Sequence, residues 1–265
     1  MAVDVAVLVS AGRHPASGRS RMAAADARAL ELGLRLGPSA ALHVIHAGDP
    51  EEPALRDYLG MGVERLTLLR QPAGADVASA LLAHLQSLQP RLILTGTAAE
   101  QGEGSGMLPY LLAERLGAVL LSHVAEVSLE ATSLIALQAL PRGRRRRLSA
   151  PLPALATVAL AAAAPRQSAF ARARRGRIEI VDMPAVMPAA DERRILPARP
   201  KPRRLKLATG GSAAERLKAA TEMQAGRGRL LVNPPAEEAA RAIYDYLVEE
   251  GILLPAGLVP LERSG

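Results

Sequence analysis

Residues 92–113 read LILTGTAAEQGEGSGMLPYLLA and join an apolar strand to a helix through a loop that is rich in glycine. Four glycines (Gly96, Gly102, Gly104, Gly106) lie between the strand and a helical pattern that we expect to begin at Ser105. Glycines at such a junction allow either a mobile connection or a backbone that approaches a bound phosphate closely. The sequence on either side bears on this choice.

Short apolar runs typical of buried β-strands recur at residues 3–10, 41–48, 65–69 and 91–96. Amphipathic patterns that predict helices separate them, at residues 25–37, 53–62 and 76–90. Apolar strands that alternate with helices are typical of a parallel sheet covered on both faces. The sequence therefore predicts an α/β fold.

The pattern changes after Leu120. Residues 123–140 and 146–161 alternate in the manner of antiparallel strands, and the basic turn PRGRRRR (141–147) joins them. Residues 165–206 hold six prolines and no sustained period, which indicates an extended arm lying on a partner or a disordered linker. Two helical patterns follow, at 212–223 and 235–253. We expect an α/β domain (1–164), a basic arm (165–211) and a helical extension (212–265).

Composition excludes several kinds of chemistry. The 265 residues contain no cysteine, so disulfides, thiolate metal sites and thiol catalysis are excluded. Aromatic residues make up only 2%, which disfavours binding of single-stranded nucleic acid by base stacking. The N-terminus reads as a strand and no apolar stretch is long enough to span a bilayer. We expect a cytoplasmic protein without membrane insertion.

Charge is unevenly distributed along the chain. Residues 142–206 carry 17 lysines and arginines against four acids, although the whole chain has a net charge of only +7. This asymmetry favours an acidic partner or nucleic acid, but arginines that are merely solvated explain it equally well. The five histidines lack the spacing of metal ligands, and we interpret His43 and His46 as structural. No residue is typical of a catalytic acid, base or nucleophile.

In a parallel α/β sheet, ligands bind beyond the carboxyl ends of the strands. The loops at residues 10–14, 46–50 and 95–106 therefore form the candidate site. The last has the composition of an anion-binding loop, but it matches neither a P-loop nor a GxGxxG motif. Glu100 and Glu103 argue against a bare phosphate unless one of them binds a ribose or an amide group.

Four ordered blocks resemble the β subunits of electron transfer flavoproteins. RMAAADARALELGLRL (21–36) is similar to the family pattern M-N-P-[FY]-D-E-x-A-[LV]-E-x-A-L-[RK]-L, and LRDYLGMGVERLTLL (55–69) to L-R-x-x-L-A-M-G-A-D-[RE]. APLPALATVALAAAAPR (150–166) resembles the late strand that ends in N-E-P-R, and RARRGRIEI (172–180) resembles the basic stretch after it. The loop from Gly96 to Gly106 is shorter than the family's G-x-x-A-x-D-x-D-x-x-Q-[TV]-G and lacks its aspartates.

The resemblance implies a core of the Rossmann-like adenine nucleotide alpha hydrolase type, with an added antiparallel strand pair and an extended C-terminal arm. It implies a heterodimer with an α-like subunit, FAD shared with that subunit, and AMP or a second FAD in the β subunit. Electrons would pass from a dehydrogenase to a quinone reductase or another acceptor, with no catalytic residue in this chain. The family's hydrophobic anchor for partner recognition is a leucine before N-E-P-R, and this chain has Ala162 at that position. The expected nucleotide contacts are Ser10, Ala11, Ala47, Gly48, Thr95, Gly96, Thr97, Ala98, Glu100, Gly102, Glu103, Gly104, Ser105, Gly106 and Met107.

Two other functions remain open at this point. A stand-alone nucleotide-binding regulator of the universal stress protein type would share the fold but have no redox role. The long arm rich in proline and arginine disfavours it, because such regulators are compact. A basic adaptor that binds nucleic acid through residues 142–206 is the other alternative, and its binding would collapse with rising salt.

Overall fold

The computed structural model describes residues 2–102, 104–130, 132–187, 212–214 and 231–249. The chain divides into two compact units, residues 1–194 and residues 195–265. Among its described residues, the first unit holds a single large sheet, a short hairpin and five α-helices.

The large sheet has nine strands in the order β11-β5-β4-β1-β6-β10-β7-β8-β9, and β2 pairs with β3 in a separate hairpin. The strands are β1 (Val3–Leu8), β2 (Ala11–Arg13), β3 (Ser20–Met22), β4 (Ala40–Gly48), β5 (Arg65–Arg70), β6 (Leu92–Gly96), β7 (Val119–Leu129), β8 (Ser133–Ala139), β9 (Arg145–Pro151), β10 (Ala154–Val158) and β11 (Arg177–Asp182). All pairings from β11 to β7 are parallel, whereas β8 and β9 are antiparallel.

The helices of the first unit are α1 (Ala24–Arg35), α2 (Ala54–Gly60), α3 (Val77–Leu88), α4 (Leu108–Leu116) and α5 (Phe170–Arg175). Alternate residues of β1 point to opposite faces of the sheet. Val5 and Val7 pack in the core shared with α1 and α2, and Ala6 and Leu8 pack in the core shared with α3 and α4. The sheet is therefore covered on both faces, and the predicted α/β fold is confirmed.

Helix α4 begins later than expected, at Leu108 instead of Ser105. Gly106 has φ of +73°, a left-handed conformation that interrupts a right-handed helix. The backbone up to Met107 therefore stays in the loop, and the loop that faces the carboxyl end of the sheet is longer than the sequence indicated.

The expectation for residues 146–161 was partly wrong. β9 is antiparallel to β8, as predicted, but β10 lies in parallel between β6 and β7. All five residues of β10 are buried, since neighbouring strands and helices surround it. Its alternation in the sequence was thus misleading, and β10 belongs to the central parallel part of the sheet.

The predicted arm begins with regular structure. Within residues 165–187, α5 packs against α2, and β11 pairs in parallel with β5. Arg177 lies opposite Arg65 at one end of this pairing, and Asp182 lies opposite Arg70 at the other. Most side chains of β11 are exposed, so it has no apolar periodicity for a sequence pattern to detect. The three-part division of the chain stays a prediction, and residues 188–211 lie outside the described part.

In the second unit, the described residues include helix α6 (Ala236–Glu249), within the second helical pattern expected at 235–253. None of its residues is buried. The first helical pattern, 212–223, lies almost wholly outside the described residues.

Candidate functional site

The connections of the sheet create a switch point between β1 and β6. After β1 the chain crosses to β4 on one side, and after β6 it crosses through α4 towards β7 on the other side. Loops that diverge from neighbouring parallel strands leave a crevice, which is the usual ligand site in α/β sheets. The crevice here is a cleft of about 1370 Å³, enough for a nucleotide with room to spare.

Most of the predicted contact residues line this one cleft, although they come from three separate strand ends. β1 contributes Ser10 and Ala11, β4 contributes Ala47 and Gly48, and β6 with its loop contributes the rest. The lining residues from β6 and its loop are Thr95, Gly96, Ala98, Gly102, Gly104, Ser105, Gly106 and Met107. The sheet thus brings together the loops that the sequence marked as candidates.

Three predicted residues stand apart from this group. Thr97 and Glu100 are not part of the cleft wall, and Glu103 lies outside the described residues. The Glu100 carboxylate accepts hydrogen bonds from Arg21 Nη2 at 2.7 Å and from the backbone N–H of Ala24 at 2.8 Å. Glu100 therefore holds the start of α1, and the suggestion that it binds a ribose or an amide of the ligand is not supported.

Asp26 is the buried link between the two loops at the switch point. Its carboxylate accepts hydrogen bonds from Ser10 N–H at 2.8 Å, Ser10 Oγ at 2.5 Å and Gly96 N–H at 2.9 Å. Burial raises the pKa of Asp26 to about 6, and these hydrogen bonds only partly oppose the rise. Asp26 fixes the relative position of the β1 and β6 loops while also lining the cleft.

Tyr58 of α2 supports the same loop from below. Its hydroxyl donates to Ser10 O at 2.8 Å and accepts from the Ala23 N–H at 3.0 Å. Tyr58 is fully buried, and burial raises its pKa well above the ordinary value, so the hydroxyl keeps its proton. Ser10 is consequently held through its N–H, its hydroxyl and its carbonyl.

The glycine-rich loop is closely packed at one point. A Cβ placed at Gly106 would lie 3.0 Å from Thr97 O and 3.4 Å from Ala98 Cβ. Ser105 Oγ accepts from the Met107 N–H at 3.3 Å, just before α4 begins. Gly106 therefore packs against the start of its own loop, and a side chain at this position would push against that backbone.

The charged side chains of the cleft are mostly acidic. Among the described lining residues, the only cation is Arg70, which pairs with Asp182 at 3.0 Å. The acidic lining residues are Asp26, Asp49, Glu52, Asp76 and Asp182. A phosphate bound here would depend on backbone N–H groups and on the N-terminus of α4, since the described lining residues include no cation other than the paired Arg70.

The contacts predicted from the sequence leave out several polar residues of the cleft, among them Asp26, His46 and Gln71. Asp26 belongs to a matched family block, but its side chain was given no role. The interpretation of His46 as structural agrees with the bond between its Nδ1 and Val9 O at 2.9 Å, and the residue lines the cleft as well. By contrast, His43 pairs with Asp4 at 3.0 Å and is not part of the cleft wall.

Ala162, which stands at the position of the family's hydrophobic anchor, packs inside the protein. It is 6% exposed and belongs to the hydrophobic core against α1, where its carbonyl accepts from Arg28 Nε. Within the residues that the structure describes, no cluster of three or more histidine or carboxylate side chains could hold a metal ion. Over the same ranges, no helix has the length and apolarity needed to cross a membrane.

Comparison with known proteins is consistent with the α/β fold. The sequence model of the electron transfer flavoprotein domain family matches residues 16–186, which is more than half of the chain. The chain is also 48% identical over 261 residues to a protein of Chromohalobacter salexigens named electron transfer flavoprotein subunit beta. That similarity covers 95% of this chain and 96% of the relative. The chain therefore belongs to the family of electron transfer flavoprotein β subunits.

Proposed function

We propose that this chain pairs with an α-like subunit and binds the adenosine phosphate part of AMP or of an FAD in the cleft. In that complex it helps to carry electrons from a dehydrogenase to a quinone reductase or another acceptor. The observation that carries the proposal is the convergence of three candidate loops at the β1–β6 switch point. Membership of the family supports the redox role.

The residues of the cleft fit such a ligand. The glycine-rich loop offers backbone N–H groups for a phosphate, and the ends of β1 and β4 offer the remaining wall for a nucleoside. The flavin shared with the partner supplies the redox chemistry, because FAD takes up and releases electrons. This chain's part is to hold the nucleotide and to keep the β1 and β6 loops in register through Asp26.

Co-expression with the α-like subunit tests the proposal. We expect a yellow heterodimer, and nucleotide analysis of the denatured complex should release FAD together with AMP. Release of FAD without AMP, at twice the amount expected for one flavin per heterodimer, would indicate a second FAD in place of AMP. A colourless chain that stays monomeric and carries ATP would contradict the redox role and support the stress-protein alternative.

A matched pair of glycine variants tests the cleft itself. Gly106→Ala places a Cβ 3.0 Å from Thr97 O, whereas Gly143 has the same φ of +73° but open space around it. Both variants carry similar backbone strain, and the close contact adds a further loss of stability at Gly106 alone. Only Gly106→Ala should weaken AMP binding, and equal affinities of the two variants would contradict a nucleotide at this loop.

A further inference from the structure

The hydrogen bond of His46 fixes its tautomer. His46 lies near the end of β4, is 7% exposed, and has Nδ1 2.9 Å from the backbone carbonyl of Val9. A carbonyl oxygen only accepts, so Nδ1 must carry the proton and donate. In the neutral ring, Nε2 is then an acceptor with no proton of its own.

The ring stays neutral near pH 7. Burial lowers the pKa of His46, and the hydrogen bond to Val9 and the charges of Glu52 and Asp49 oppose it only in part. Nε2 is therefore held as an acceptor and does not become a second donor.

The unsatisfied nitrogen lies at the cleft. His46 and Gly48 both line it, and a Cβ placed at Gly48 would come within 2.7 Å of His46 Nε2. Val9 satisfies Nδ1, while Nε2 forms no hydrogen bond with any described residue. The His46 ring is largely buried, and its Nε2 is left free to accept a hydrogen bond from a molecule bound in the cleft.

The next strand adds a second acceptor at the same end. The amide of Gln71 donates to Arg70 O at 2.7 Å and to Met183 O at 3.2 Å, which fixes its orientation. Its Oε1 is the one buried side-chain atom among the described residues that lacks a hydrogen-bond partner. Gln71 also lines the cleft, and its backbone N–H donates to Gly48 O, so the ends of β4 and β5 are joined beside His46.

On the basis of the proposed nucleotide site, we propose that His46 Nε2 accepts a hydrogen bond from the nucleoside half of the ligand and selects for that donor. The donor is an exocyclic amino group of the base or a hydroxyl of the ribose, since both are N–H or O–H groups that Nε2 can accept. The phosphate end fits this role poorly, because a phosphate monoester is mostly doubly ionised near pH 7 and its oxygens then only accept.

The test compares AMP with three analogues that each lack one donor: purine riboside 5′-monophosphate, 2′-deoxy-AMP and 3′-deoxy-AMP. Affinities are measured by calorimetry on the full-length chain in complex with its α-like subunit, after removal of bound nucleotide. In the wild type, we expect one analogue to bind about 3- to 10-fold more weakly than AMP, which is the usual effect of one neutral hydrogen bond. The analogue that loses affinity identifies the donor.

Two substitutions of His46 separate its two nitrogens. His46→Asn places an amide N–H near the position of Nδ1 and keeps the bond to Val9, but it offers no acceptor at the position of Nε2. His46→Gln places an amide near the position of Nε2 and restores the acceptor. We expect the preference for AMP over the critical analogue to disappear in His46→Asn and to return, at least in part, in His46→Gln. His43→Asn, on the same strand but away from the cleft, should keep the wild-type preference.

The ratio of the affinity for AMP to the affinity for the critical analogue shows whether His46 selects the donor. This ratio does not depend on how much of the protein is folded. Equal binding of all four nucleotides by the wild type would overturn the inference. So would a His46→Asn variant that binds every nucleotide more weakly but keeps the same ratio, as a purely structural role predicts. If the wild-type complex binds neither AMP nor FAD, the proposed function fails and this inference fails with it.

Discussion

Two carboxylates on the same helix behave in opposite ways. Asp26 and Glu31 lie five residues apart on α1 and are each 4% exposed. The pKa of Asp26 is raised to about 6, whereas that of Glu31 is lowered to about 2. Burial disfavours the charge of both groups, so the difference must come from their partners.

Asp26 accepts hydrogen bonds only from neutral groups, namely two backbone N–H groups and a serine hydroxyl. Glu31 accepts from two guanidinium groups, Arg166 Nε at 2.8 Å and Arg35 Nε at 2.9 Å. The cations outweigh burial at Glu31, while dipoles alone do not outweigh it at Asp26. The comparison teaches that Glu31 binds the chain after β10 to α1 through ion pairs. Asp26 positions the cleft loops through hydrogen bonds to neutral groups, and burial of its negative charge is unfavourable.

Removal of Asp26 should have the largest effect. Asp26→Ala leaves the N–H groups of Ser10 and Gly96 without their acceptor, so we expect stability to fall by about 2 to 4 kcal/mol. The loops that line the cleft also lose their common anchor, so nucleotide affinity should fall. Urea denaturation and nucleotide titration measure the two effects, with the exposed Glu114→Ala as the control. A fully stable Asp26→Ala variant would show that the loops hold each other without this link.

The pH dependence of stability should separate the two groups by sign. The folded-state pKa of Asp26 lies above its ordinary 3.8, so its contribution to stability falls by about 3 kcal/mol as pH rises through the window from 3.8 to about 6. The folded-state pKa of Glu31 lies below 4.5, so its contribution is present above that pH and is lost as pH falls towards about 2. Solvent around the partly exposed guanidinium groups reduces the Glu31 effect to about 1 to 2 kcal/mol.

Denaturation curves at several pH values test both signs. Asp26→Asn should remove the decline between pH 3.8 and 6, and Glu31→Gln should remove the loss at lower pH. Two variants with the same pH profile as the wild type would show that other groups control its stability.

Loss of the Arg166 side chain should have a smaller effect. Arg166→Ala removes the contacts of Nε and Nη2 with Glu31, but the Arg166 backbone N–H still donates to Oε2 at 3.1 Å. The guanidinium side chain is 42% exposed, so we expect a loss of about 1 kcal/mol and a rise in the pKa of Glu31. Arg115→Ala, which breaks only an exposed pair with its neighbour, is the control. A loss no larger than in that control would mean that Arg35 alone holds Glu31.

Loss of Arg35 should have the smallest effect. Its side chain is 55% exposed, and its bond to Glu31 is an ordinary pair four residues apart on one helix. Such pairs contribute about 0.3 to 0.5 kcal/mol, so Arg35→Ala should shift the denaturation midpoint only slightly. A loss of stability as large as that in Arg166→Ala would mean that Arg35 contributes as much as Arg166 to the binding of Glu31.

The sequence predicted the elements that carry a strong local signal. The buried apolar strands before residue 100 and the three helices between them follow from periodicity. Helix α3 begins after Asp76, whose side chain caps the helix by accepting a hydrogen bond from the Ala78 N–H. The loops of the cleft followed from the rule that ligands bind at the ends of parallel strands. The family resemblance was confirmed by the comparisons.

What the sequence could not predict depends on contacts between distant residues. β11 has too few buried side chains to show a period, and its pairing with β5 joins positions more than a hundred residues apart. The central place of β10 follows from its neighbours, β6 and β7, and not from its own pattern. Likewise, no pattern shows which nitrogen of His46 is satisfied, because Val9 O comes from another strand.

The pairing of β11 with β5 has a consequence for the order in which the protein is made. Gln71 and Asp76, which line the cleft, are tied to Met183 O and Val186 O, so one wall depends on residues synthesised much later. A nascent chain that has emerged only as far as β10 already has the switch point, but β5 is still an edge strand. We therefore expect the ribosome-bound chain to acquire its complete cleft only after residue 186 has left the exit tunnel.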